Sequence, residues 1–199
     1  MQAEIRQNLS KDEINEYPLY KYKGKIVLVQ TEEEMEAPLA RIRQEKILGF
    51  DTETKPSFRK GKAYTPAILQ LACSDVVFLF LLRKLSLGSA LSSVLADPAI
   101  IKTGVAVRDD MRFLGELYPF EPAAISDLSD IARRNGLKVY GLRGLAARLL
   151  NVRISKSARC SNWNNAELTS QQVSYAATDA WISRELYLRM REMGMALNG

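Results

Sequence analysis

Two apolar runs, residues 67–72 and 76–81, flank a short turn made by Cys73, Ser74 and Asp75. Each run is long enough for a strand, and so short a link lets them pair only by folding back on each other. The pair therefore predicts an antiparallel β-hairpin and commits the chain to a sheet. Upstream, residues 26–29 read as a strand, Thr31 caps a charged helix reaching about Gln44, and residues 47–50 form a second strand. Downstream, a helix near residues 90–96 is closed by Asp97-Pro98. A strand-like stretch at 101–107 then runs directly into a helix starting at Asp109 or Asp110. Helical segments follow at residues 127–134, at 142–150 after Gly141, and over the long stretch 170–192. Antiparallel strands followed by strand–helix alternation predict an α/β fold with a mixed sheet flanked by helices. Residues 1–24 are polar and charged, with Pro18 among Tyr17, Tyr20 and Tyr22, and read as an arm or short helix leading into one domain over 25–199.

Composition narrows the chemistry. A chain of 199 residues with 47% hydrophobic content closes one core of ordinary size. The longest apolar run, residues 76–82, falls far short of the roughly 20 residues that span a bilayer, and residues 1–6 lack the apolar core of a signal peptide. The expectation is a cytoplasmic protein with no membrane contact. Cys73 and Cys160 are far apart and form no metal-finger spacing, so each reads as a small buried hydrophobe. A net charge of +5 and a pI near 9.2 fit a polyanionic partner without identifying one. The absence of histidine says more: it removes Ser-His-Asp and Cys-His triads and every imidazole base. Carboxylates, tyrosine, lysine or a metal remain.

Three places carry candidate chemistry. In Gly49-Phe50-Asp51-Thr52-Glu53, strand alternation puts Asp51 and Glu53 on one face, where both reach a single cation; a solvated strand end is the alternative. Asp110 stands where a strand meets a helix, a position an ordinary N-cap also fills. In the last helix, Thr169 and Gln172 form a capping box, and Tyr175, Asp179, Ile182 and Leu186 fall at i, i+4, i+7 and i+11. The stripe that buries Ile182 and Leu186 turns Asp179 inward as well. A carboxylate aimed into a domain requires a cation, hydrogen bonds or a raised pKa, and a structural salt bridge satisfies that need as a metal does.

Taken in order, FDTE, GVAVRDDMRFL and YAATD resemble the tyrosine subclass of the DEDD exonucleases, and within it the group related to the Werner syndrome exonuclease domain and ribonuclease D. The resemblance covers residues 26–190 and includes Lys55-Pro56-Ser57-Phe58, the strand from Ala67 and Ser161-Asn162-Trp163. It implies a ribonuclease H-like mixed sheet of about five or six strands. It also implies 3′-to-5′ hydrolysis of DNA or RNA to nucleoside 5′-monophosphates. Asp51 and Glu53 match the first-motif acids and Asp179 the last. The pattern Gly, five residues, Asp, three residues, Leu runs from Gly104 to Leu114 and selects Asp110 over Asp109, leaving Asp109 solvated. Tyr175 takes the place of the histidine found in the sister subclass, and Asp127 lies outside the pattern as a helix cap.

The implied site holds two Mg²⁺ or Mn²⁺ ions roughly 3.5–4 Å apart for an in-line displacement at phosphorus. Asp51 bridges the ions, Glu53 and Asp179 complete one shell, Asp110 supports the second through water, and Tyr175 orients the attacking water. The partner is a nucleic acid with a free 3′ end; the sequence names no protein partner. Around the first motif, Thr52, Lys55, Phe58, Arg59 and Lys60 are candidate substrate contacts, with Lys62 beside them. Lys156 and Trp163 are candidates for the rim, Trp163 equally for the core. A noncatalytic nucleic-acid-binding module on the same fold is the alternative reading.

Overall fold

The structure, a computed structural model, describes residues 8–56 and 64–197. Its centre is a six-stranded mixed sheet in the order β1-β4-β3-β2-β5-β6. The strands are β1 (Lys25–Val29), β2 (Ile47–Glu53), β3 (Ile68–Ala72), β4 (Val76–Leu81), β5 (Ile101–Gly104) and β6 (Ile125–Asp127). The anticipated hairpin is β3–β4, closed by the Cys73 amide donating to the Val76 carbonyl at 2.9 Å, and β2 pairs antiparallel with β3. β1 joins β4, β5 joins β2 and β6 joins β5, all in parallel.

Seven α-helices lie among the described residues: α1 (Lys11–Glu16), α2 (Glu36–Ile42), α3 (Gly88–Leu95), α4 (Val107–Leu117), α5 (Leu128–Arg134), α6 (Leu142–Leu150) and α7 (Ser170–Glu192). Period-2 alternation divides the side chains between two cores. Leu48, Phe50, Leu69, Leu71, Phe78 and Phe80 face one side, where α2, α3 and α4 pack. Ile68, Ala72, Val77 and Leu79 face the other, under Ala176, Ala177 and Ala180 of α7. Farther along α7, Ile182 and Leu186 meet α5 and α6. Burying this much apolar area supplies the main drive for closing both layers on the sheet.

Several elements depart from the sequence expectation for identifiable reasons. The charged helix over 31–44 splits into a 3₁₀ turn, Glu32–Glu34, and α2. Pro38 would interrupt a continuous helix, whereas in α2 it occupies the first turn, where an amide has no intrahelical acceptor. Thr31 still stands at the start of the 3₁₀ turn, where its amide donates to the Glu34 carboxylate at 3.3 Å. The strand at 101–107 ends at Gly104, because Ala106 adopts a left-handed conformation (φ 59°) that turns the chain into α4. Neither Asp109 nor Asp110 is therefore the N-cap. β6, absent from the sequence reading, has three residues, too few to show alternation. Cys73 is buried as expected, but Cys160 is exposed: its loop turns Ala158 and Trp163 inward and leaves the cysteine outside. Among the described residues no helix is long and apolar enough to cross a membrane.

Candidate active site

The site forms at the carboxyl end of β2. Alternation places Gly49, Asp51 and Glu53 on the face covered by α7. A Cβ at Gly49 would lie 2.0 Å from the Ala180 carbonyl oxygen and 2.9 Å from Arg184 Cβ, so α7 crosses β2 at backbone contact. The Thr169–Gln172 capping box fixes the start of that helix. Tyr175, Asp179, Ile182 and Leu186 are all buried, as their spacing required. Asp179 consequently meets the strand acids: carboxylate oxygens of Asp51, Glu53 and Asp179 lie within 4.8 Å of one another. Trp163 is fully buried beneath Tyr175, with ring centroids 6.0 Å apart, and belongs to the core.

Asp110 approaches from the other layer. β2 and β5 run parallel, so the turn after β5 brings α4 to the end of β2. Val107, Met111 and Leu114 anchor α4 in the Leu48–Phe50 core, opposite α7. Asp110 then bonds the side chain of Thr52, the strand residue that points to its side, and stands outside the tight trio of acids. Asp127 caps α5 through the Ser129 amide at 2.8 Å, as expected. It also accepts from the Val107 amide at 3.1 Å, tying β6 to the start of α4. Asp109 is exposed and pairs with Arg112 at 3.5 Å.

Burial and mutual repulsion dominate the electrostatics of the four carboxylates. Desolvation, then Asp179 and Asp110, push the Asp51 carboxyl well above its ordinary value. Desolvation and the other three acids raise Glu53, with Arg159 opposing. Desolvation lifts Asp110 to about 7, against its bond to Thr52, and lifts Asp179 to about 7 against its bond to Tyr175. Asp179 Oδ1 is buried with no hydrogen-bond partner among the described residues. Converging hard oxygen ligands, mutual repulsion and an unpartnered inward oxygen fit a divalent cation better than a structural salt bridge, since among the described residues no cation pairs with Asp179.

Of the expected substrate contacts, Thr52 supports Asp110, and exposed Lys55 lies over the Tyr64 ring, 5.7 Å from its centroid. Phe58, Arg59, Lys60 and Lys62 lie outside the described residues. Two clefts meet at Tyr175 and Asp179. One, of about 400 Å³, is rich in hydroxyls from Ser155, Ser157, Ser170 and Ser174. The second, of about 330 Å³, includes Lys156 and Arg159. Sequence reasoning missed Gly49 and Arg159. Gly49 carried a usable signal, since glycine inside a strand marks close backbone approach; Arg159 carried none.

Residues 26–194 match the 3′-5′ exonuclease family. The chain is 31% identical over 160 residues to the bifunctional 3′-5′ exonuclease/ATP-dependent helicase WRN of Mus musculus, a match covering 77% of this chain and 11% of that protein. It is 31% identical over 172 residues to ribonuclease D of Gluconacetobacter diazotrophicus, covering 83% of this chain and 42% of that one. The chain thus spans less than half the length of either relative. Among solved structures, the Aedes aegypti Nibbler EXO domain superposes with a TM-score of 0.78 at 22% identity, covering 88% of this chain and 94% of that one, and shares the fold.

Proposed function

Since the chain belongs to the 3′-5′ exonuclease family, we propose that it removes nucleoside 5′-monophosphates one at a time from a nucleic acid with a free 3′ end. The observation that carries this reading is the trio Asp51, Glu53 and Asp179, whose carboxylate oxygens converge within 4.8 Å beside Tyr175. Asp51, Glu53 and Asp179, with Asp110 on the outer side, would hold two Mg²⁺ or Mn²⁺ ions. When bound, such ions offset the carboxylate charge and act as Lewis acids toward a phosphodiester.

The chain's own residues do the rest. Desolvation and the charges of Asp179 and Glu53 push the Tyr175 hydroxyl pKa up, so it keeps its proton. It therefore orients the attacking water by hydrogen bonding and is not a base. Trp163 beneath its ring and the close seating of α7 on Gly49 fix where that hydroxyl points. Thr52 holds Asp110 from the opposite layer. Water adds across the terminal P–O3′ bond, leaving a 5′-monophosphate and a strand one residue shorter with a new 3′-hydroxyl. Lys55, Phe58, Arg59 and Lys60, which follow the first motif in sequence, are proposed to contact the terminal nucleotide.

The test is the shortening of a 5′-labelled single strand, in DNA and RNA versions, with Mg²⁺ or Mn²⁺ present. Asp51→Ala and Asp179→Ala are expected to lower the rate by more than about 100-fold, beyond the usual effect of losing a ligand's supporting partner. Wild-type protein that binds the oligonucleotide yet shortens it no faster than these variants would be a noncatalytic binding module.

A further inference from the structure

The N-terminal segment ahead of β1 is fastened along the site's flank. Arg148 donates to the Asn8 carbonyl at 3.4 Å, and Arg143 donates to Asn15 Oδ1. The Tyr20 amide donates to the Arg153 carbonyl at 2.8 Å, and the Arg153 amide to the Pro18 carbonyl at 3.0 Å. The Tyr22 amide donates to Thr178 Oγ1 at 3.1 Å, one residue before Asp179. Held in this way, the segment walls both clefts that meet at Tyr175 and Asp179: Leu19, Tyr20 and Lys21 line one, Lys11 and Ile14 the other.

The second cleft is chemically one-sided. Lys11, Arg143, Lys156 and Arg159 line it, and Asp179 at its inner end is its sole carboxylate among the described residues. Lys11 and Lys156 are exposed and form no ion pair with any described residue. Tyr140 stands in the same wall with 37% of its surface exposed, braced by the Arg133 guanidinium 5.0 Å from its ring centroid. Cations spaced along a groove beside an accessible aromatic suit a chain of phosphates with attached bases. An acidic peptide would match the cations but leave the tyrosine without a stacking partner.

We propose that the N-terminal arm is part of the substrate site: Lys11, acting with Arg143, Lys156 and Tyr140, holds the backbone and a base of a single-stranded nucleic acid upstream of the nucleotide being removed. The inference rests on the exonuclease reading for the strand's direction, but its test does not require turnover.

The full chain is titrated into a fluorescent oligothymidylate about 12 nucleotides long, without divalent metal, across a range of NaCl concentrations. Lys11→Gln is expected to weaken binding about three- to tenfold and to reduce the log–log salt slope by about 0.7. Tyr140→Ala is expected to weaken binding about tenfold with the slope unchanged. The matched control is Lys84→Gln, which removes the same charge from a lysine that lines neither cleft and bonds Gln30. Lys11 is exposed, so its variant folds even if an Arg143 variant does not. Equal effects of Lys11→Gln and Lys84→Gln overturn the proposal. Weakened binding by Lys11→Gln in a protein that releases no mononucleotide would retain this cleft and sink the exonuclease reading. Release of mononucleotides with equal binding by the two variants would do the reverse.

Discussion

At the scale of single residues, Lys102 shows how a buried charge is tolerated away from the site. It is fully buried in β5, and its Nζ donates to the Asp97 carbonyl at 2.7 Å. Desolvation pulls its pKa down to about 8, with Asp97 opposing. Below about pH 8 the amine is charged whether the chain is folded or not, so the folded state bears the full desolvation cost. Between about 8 and the ordinary value of 10.5, the folded protein releases the proton first and the cost fades. Lys102→Met is therefore expected to stabilise the protein by about 1–3 kcal/mol at pH 7, with a smaller gain at pH 10. Thermal melts of both proteins at the two values check this, and an equal gain at both would contradict it. Asp51, Glu53, Asp179 and Tyr175 were legible because strand and helix periods fix their direction. Lys102 was not legible, since one lysine in a short apolar strand reads equally well as a solvent-facing position.

Elements set the site's dimensions. α7 carries two of its side chains and rests on β2 without a side chain between them at Gly49. Gly49→Ala would place a methyl group 2.0 Å from the Ala180 carbonyl oxygen, a backbone atom that moves only with the helix. The expected cost is about 1–3 kcal/mol of stability from overpacking. The loss of strand-shortening activity should be larger than melting accounts for, because Tyr175 and Asp179 shift with α7 away from Asp51. The two are separated by assaying well below the variant's melting temperature; full activity there would show that the contact spaces the core and not the site. α7 itself was only half legible. The stripe from Tyr175 to Leu186 was correct, but Ala176, Ala177 and Ala180 are buried too, against the sheet. Small residues carry too weak a periodic signal to announce a second packed face.

Over the whole molecule, the acids couple stability to pH and to metal. Their carboxyls are raised in the folded state, to about 7 for Asp110 and Asp179, above the ordinary value of 3.8. In the metal-free protein the folded state holds protons that the unfolded chain releases, so stability falls as pH rises from about 4 through 7 and on toward about 10, where Glu53 loses its proton as well. A divalent cation reverses that repulsion, and protons compete with it. Mn²⁺ is expected to raise the melting temperature at pH 8, by about 2–4 °C per kcal/mol of binding free energy, and to lose this effect as pH falls below about 6. Chelation should restore the lower value, and Asp51→Asn should abolish the response; a shift independent of pH would place the metal elsewhere. The hairpin, the strand–helix alternation, the cap of α7, the shared face of Asp51 and Glu53 and the inward turn of Asp179 follow from the sequence, because periodicity and capping act over a few residues. The tertiary structure decided the rest. It brings Asp110 around the end of β2 from the opposite layer, seats α7 on Gly49, adds β6 and lays the arm along the cleft. These depend on contacts between segments far apart in the chain, which no local pattern encodes.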